Sequence, residues 1–137
     1  MSELTLHRIL VVEDHVDSAI MLTRLLKRAG FFVVSAGRVH DALALADEHE
    51  SAGTPFDLVV SDLGLPDATG YDLMQRLREK HRLRGVALSG YGQSDDVRRA
   101  LDAGFSYHLT KPIDFDRLKK LITQMLNPEL SSFSDCR

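Results

Sequence analysis

Five times in succession the chain passes from a short β-branched, apolar run to a stretch whose apolar residues recur three or four apart. The first run is HRILVV (7–12); Ala19, Leu22, Leu25, Leu26 and Ala29 follow on one helical face, and Gly30 stands where a left-handed C′ residue would end the helix. FFVVSA (31–36) is the second strand, and Val39, Ala42, Leu43 and Ala46 line the next helix, which ends near 51–53. FDLVVS (56–61) leads to a helix opened by Thr69, with Asp72 three residues on and Leu73, Met74 and Leu77 facing inward. GVALS (85–89) leads to a helix capped by Ser94, with Asp95 and Asp96 in its first turn and Val97, Ala100 and Leu101 inside, ended by Gly104. FSYHL (105–109) leads to a helix capped by Asp114 and carrying Phe115, Leu118, Ile122 and Met125. Phe105 and Tyr107 are both expected to reach the core.

Strands that alternate with helices must run parallel, because each helix carries the chain back to the same end of the sheet. Both sheet faces are then covered, which is why the strands read as unbroken apolar runs. Right-handed crossovers leave few arrangements for five such units. The expectation is an α/β, flavodoxin-like (βα)5 doubly wound sheet ordered 2-1-3-4-5, with a switch point between strands 1 and 3. With 137 residues, 44% of them apolar, the chain has material for one such core. Residues 1–126 form the expected domain and 127–137, beginning Asn-Pro, a flexible tail.

Other classes are disfavoured. A net charge of −3 gives no general attraction to nucleic acid or an anionic membrane. The basic run RLREKHRLR (76–84) then reads as a solvated face. No apolar run approaches a bilayer span, the N-terminus lacks a signal-peptide core, and the single cysteine, Cys136, precludes an internal disulfide. A cytoplasmic protein is expected.

Ligands of such sheets sit beyond the carboxyl ends of the strands, at the switch point. Strand 1 ends in Glu13-Asp14 and strand 3 in Asp62. Taken singly, each is a solvated surface acid. Taken together at adjacent strand ends, each like-charged pair costs about 3 kcal/mol at roughly 5 Å, and the set calls for a counterion. All-oxygen donors suit a hard divalent cation such as Mg²⁺. Ser89 closes strand 4 and Lys111 follows strand 5, within reach of the same crevice, although each alone also reads as an ordinary turn hydroxyl or solvated cation. Pro112 admits a cis peptide after Lys111. A carboxylate beside Mg²⁺, a hydroxyl and an ammonium can attack phosphorus and form an aspartyl phosphate.

The motifs VVEDHVDS, LVVSDLGLPDATG, ALSGYG and GFSYHLTKPID, in this order, resemble the response-regulator receiver (CheY-like) family across about residues 7–126. The wording GFSYHLTKP and DLGLPD is most similar to receivers of hybrid sensor histidine kinases. The resemblance implies that Asp62 accepts a phosphoryl group and that Ser89 and Lys111 contact it. It implies that Mg²⁺ is held by Asp14, Asp62 and the Gly64 carbonyl, with Glu13 acting mostly through water. The conserved hydroxyl, here Ser89, and an aromatic residue three before the lysine form the family's switch; His108 occupies that aromatic position. Gly64 and Tyr91 stand where the family tunes hydrolysis, and with no side chain at 64 slow self-dephosphorylation is expected. Implied partners are a histidine kinase or a histidine phosphotransfer domain, and a second copy through helix 4, strand 5 and helix 5. His15 reads as an exposed loop histidine that can touch the phosphoryl group, and Val16, Ala19, Ile20 and Thr23 as a face open to a partner helix.

Three other functions fit these residues less well. A non-phosphorylated pseudo-receiver would have lost an acid or the lysine. A flavin or nucleotide binder on this sheet would need an anion-binding loop after strand 1, where Glu13 and Asp14 stand. A phosphatase of the aspartyl-phosphate type would want a second carboxylate at position 64.

Overall fold

The computed structural model describes residues 6–90 and 94–127, the side chains of 94–96 excepted. Five strands, β1 (Arg8–Val12), β2 (Phe32–Ala36), β3 (Leu58–Asp62), β4 (Arg84–Ser89) and β5 (Phe105–Thr110), alternate with five helices. The helices are α1 (Val16–Arg28), α2 (Val39–Ser51), α3 (Gly70–His81), α4 (Ser94–Ala103) and α5 (Phe115–Leu126). All strand pairings are parallel and the order is 2-1-3-4-5, as the alternation predicts.

Side chains alternate across the pleat, so each strand feeds two cores. On one face Leu22 and Leu26 of α1 and Leu118, Ile122 and Met125 of α5 pack on Ile9, Val11, Leu58 and Val60. On the other, Ala42 and Ala46 of α2, Leu73, Met74 and Leu77 of α3 and Ala100 of α4 pack on Leu10, Val12 and Val59. The central strand β3 is buried at all five positions, Asp62 included.

Local signals operate as read. Thr69 Oγ1 accepts from the Asp72 N–H at 3.1 Å, Asp114 Oδ1 accepts from Asp116 and Arg117, and Gly30 has φ +105°. One expectation fails: Leu101 is 49% exposed, because α4 turns Ala100 and Ala103 to the sheet instead. Phe105 and Tyr107 both reach the core, on opposite faces of the sheet. The pairing with β4 slips between Gly85 and Val86, leaving Ser106 as an extra residue, and the bulge reverses the alternation. The Ser94 cap and the Asp95 and Asp96 side chains lie outside the described residues.

Candidate functional site

β1, β3, β4 and β5 deliver one side chain or carbonyl each to the carboxyl edge of the sheet. β3 carries Asp62 to the edge and α3 must then start close behind it. Gly70 makes this possible: a Cβ there would clash with the Asp62 carbonyl oxygen and lie 2.9 Å from Leu63 Cα. The intervening loop is pinned at Asp67, whose carboxylate accepts from the N–H groups of Val39 and His40, both at 2.9 Å, and so caps α2. Those bonds hold the Asp67 carboxyl below its ordinary range. Position 64 has open space where a side chain would stand, and the Gly64 backbone N–H favours the charged form of the Asp62 carboxyl.

Lys111 crosses from the end of β5, where its N–H bonds the Ser89 carbonyl at 2.7 Å and the Lys111-Pro112 peptide is cis. Its Nζ donates to Glu13 Oε1 at 2.9 Å and to Asp62 Oδ2 at 3.0 Å. One ammonium therefore ties two buried acids from β3 and the β1 edge. Burial, and then the neighbouring Glu13 charge, push the Asp62 carboxyl up despite the lysine. Burial also opposes charge on Glu13, but the Lys111 hydrogen bond and the backbone N–H of His15 outweigh it and hold Glu13 below its usual range. Lys111 is itself held up: burial opposes its charge, and the two carboxylates more than restore it.

Asp14 stands exposed at the rim, with the His15 ring beside it. Among the described residues, the one trio whose ligand atoms all lie within 4.8 Å of one another is Glu13, Asp14 and His15. Asp62 joins this group through Lys111 and Glu13 rather than as a fourth member. Three carboxylates against one ammonium leave two negative charges at this edge, and the donors are oxygens in a part-open crevice. The residues present thus fit a divalent cation of the Mg²⁺ kind.

Ser89 is buried, and its Oγ lies 2.8 Å from His108 Nε2. β4 and β5 explain the pair: Ala87 faces His108 in register, so Ser89 is its diagonal neighbour on the same sheet face. The β5 bulge sets that parity. Sequence reading named both residues but missed their contact, because a bulge has no fixed sequence signal. The reach of Lys111 to the acids and the place of the exposed His15 beside them follow the sequence reading. Tyr91 lies outside the described residues.

Comparison with known proteins agrees with this fold. The family model described as the response regulator receiver domain matches residues 9–123. The chain is 38% identical over 124 residues to the response regulator protein PilR of Pseudomonas aeruginosa, covering 88% of this chain and 27% of that protein. It is 34% identical over 125 residues to the virulence sensor protein BvgS of Bordetella bronchiseptica, covering 85% of this chain and 10% of that one. It therefore spans only a small part of either relative. The solved structure of a CheY-like response regulator receiver domain from Methylobacillus flagellatus superposes with a TM-score of 0.73 at 30% identity, covering 88% of this chain and 99% of that one. With its parallel five-stranded sheet and its acid-and-lysine edge, the chain belongs to the response-regulator receiver family of two-component signalling.

Proposed function

We infer that this domain accepts a phosphoryl group on Asp62 from a phosphohistidine, in a Mg²⁺-dependent reaction, and relays it or answers it by a change of conformation. The single observation that carries the reading is the Lys111 ammonium bridging Asp62 Oδ2 and Glu13 Oε1 at a strand edge where acids outnumber bases. An Asp62 carboxylate oxygen attacks phosphorus; the new O–P bond forms as the P–N bond breaks, and its electron pair leaves on the donor imidazole. Lys111 is placed to follow the phosphoryl oxygens, since one of its two acceptors is the attacking carboxylate. Asp14, Asp62 and the Gly64 carbonyl would hold Mg²⁺, with Glu13 behind them; when bound, the ion offsets charge on the transferring oxygens.

Ser89 and His108 form the proposed switch. The Ser89 hydroxyl is engaged by an imidazole rather than flanked by a rotating aromatic ring. Reaching the phosphoryl group would exchange that hydrogen bond for a charge-assisted one, and the exchange would report phosphorylation at β5. A donor domain has an apolar place to dock: Val16, Ile20 and Met21 on α1 are 70%, 50% and 64% exposed. Met21 lines a cavity of about 550 Å³ together with Pro112, Ile113 and Phe115, and Val16 and Ile20 line another of about 510 Å³. This suits the face of a histidine kinase or a phosphotransfer helix. A second copy would use α4, β5 and α5, where Leu101 is exposed. Among the described residues no helix is long and apolar enough to cross a membrane.

The test is intact-mass analysis after acetyl phosphate, with and without Mg²⁺. A gain of one phosphoryl group that needs the metal supports the reading, and no gain under any condition favours the pseudo-receiver. Decay of the adduct then reads the lifetime. With Gly64 offering no side chain to orient water, the phosphoryl group should outlast a scale of seconds.

A further inference from the structure

His15 is the N-cap residue of α1, yet its side chain makes no capping hydrogen bond. It is turned to the acids instead: Nδ1 lies 3.4 Å from Glu13 Oε2 and 3.7 Å from Asp14 Oδ1. Glu13 Oε2 is not the oxygen that Lys111 holds, which is Oε1. Oε2 also accepts the backbone N–H of His15 at 3.1 Å, so the glutamate carboxylate is oriented from both sides.

These spacings resemble one face of a coordination shell. With metal–ligand bonds of about 2.0–2.1 Å, neighbouring ligands stand roughly 3.0 Å apart around an octahedral ion and roughly 3.4 Å apart around a tetrahedral one. The 3.4 Å and 3.7 Å spacings lie within about 0.3 Å of the tetrahedral value and within about 0.7 Å of the octahedral one, and the His15 side chain, 75% exposed, is open to solvent. Imidazole nitrogen is a poor ligand for Mg²⁺ and a good one for borderline divalent ions such as Mn²⁺, Co²⁺ and Zn²⁺.

We propose that His15 is a nitrogen ligand that extends the Glu13–Asp14 site to divalent transition ions and sets its metal preference. This rests on the reading of that edge as a cation site. Mg²⁺ would use Asp14, Asp62 and the Gly64 carbonyl, with Glu13 behind them, and leave the imidazole in solvent, whereas Co²⁺ or Zn²⁺ at the same edge would recruit it together with Glu13 Oε2 and Asp14 Oδ1. A competing account makes His15 an imidazolium paired with the two acids. In that case removing it would strengthen cation binding.

The experiment is calorimetric titration of the apo protein with Co²⁺ and with Mg²⁺, for the natural chain, His15→Ala and His15→Phe. The natural chain's visible Co²⁺ bands are followed while Mg²⁺ is added, so that only cobalt at the Mg²⁺ site is scored. The expected result is a loss of Co²⁺ affinity of about tenfold or more in both variants, Mg²⁺ affinity within about twofold of the original, and Co²⁺ bands that fade as Mg²⁺ competes. Unchanged or increased Co²⁺ affinity in the variants, with Mg²⁺ binding intact, overturns the role of His15 alone. Failure of the natural chain to bind Mg²⁺ overturns the cation site beneath it as well.

Discussion

Replacing Lys111 with methionine removes a charge and keeps most of the stem. The two acceptor oxygens, Glu13 Oε1 and Asp62 Oδ2, each lie within 3.0 Å of one nitrogen, so they are at most about 6 Å apart. At an effective dielectric of 20, two negative charges at that separation repel by about 3 kcal/mol. Both groups are buried, so little water screens them. Without the ammonium, one carboxyl relieves the repulsion by taking a proton. It is expected to be Asp62, whose pKa already lies above the ordinary carboxylate value through burial and the Glu13 charge. The further rise comes from losing the Lys111 ammonium, whose charge-assisted hydrogen bond to Asp62 is worth up to about 3 kcal/mol, or roughly two pH units. The sign follows from linkage. A carboxyl whose folded pKa exceeds its unfolded value leaves stability intact below the unfolded value, near 4, and costs stability as pH rises from there through the folded value. Lys111→Met should therefore match the natural chain closely near pH 4 and lose about 3 kcal/mol by pH 8. Urea denaturation in chelator across that range measures it. A deficit below about 1 kcal/mol at pH 8, or one independent of pH, would refute the reasoning.

Three shorter predictions follow from the same edge. Gly70→Ala should drive the α3 start away from β3, lowering Tm and weakening Mg²⁺ binding together, both read on one purified sample. Asp67→Ala should lower Tm at neutral pH by uncapping α2; because the folded Asp67 pKa is depressed, the difference should shrink as pH falls through and below the carboxylate range. His108→Phe removes the hydrogen bond between Nε2 and Ser89, so beryllofluoride, a phosphoryl mimic, should bind about fivefold tighter, the equivalent of roughly 1 kcal/mol. Weaker binding in that variant would mean that His108 supports the bound state instead.

The fold was legible because its signals are periodic and local. Each strand is a run of five or six residues with its own apolar signature, and the caps at Thr69 and Asp114 lie next to the helices they start. The order 2-1-3-4-5 followed from parallel connection rules rather than from any one residue. At the edge, Glu13, Asp14, Asp62, Ser89 and Lys111 could be named because each ends or follows a strand. Their pairings could not. Which of the acids Lys111 meets depends on side-chain reach across three strands, and the Ser89–His108 contact depends on the extra residue in β5. Asp67 illustrates a third limit: it caps a helix 27 and 28 residues away in sequence, a distance at which a capping residue leaves no local pattern.

Chemical trapping probes the acceptor itself. Borohydride reduces an aspartyl phosphate to homoserine, so the protein is phosphorylated with acetyl phosphate and Mg²⁺, reduced, digested and read by peptide mass spectrometry. Homoserine at position 62, absent without Mg²⁺ and absent from Asp62→Asn, is the predicted result. Modification at another carboxylate, or phosphorylation that persists in Asp62→Asn, would contradict it.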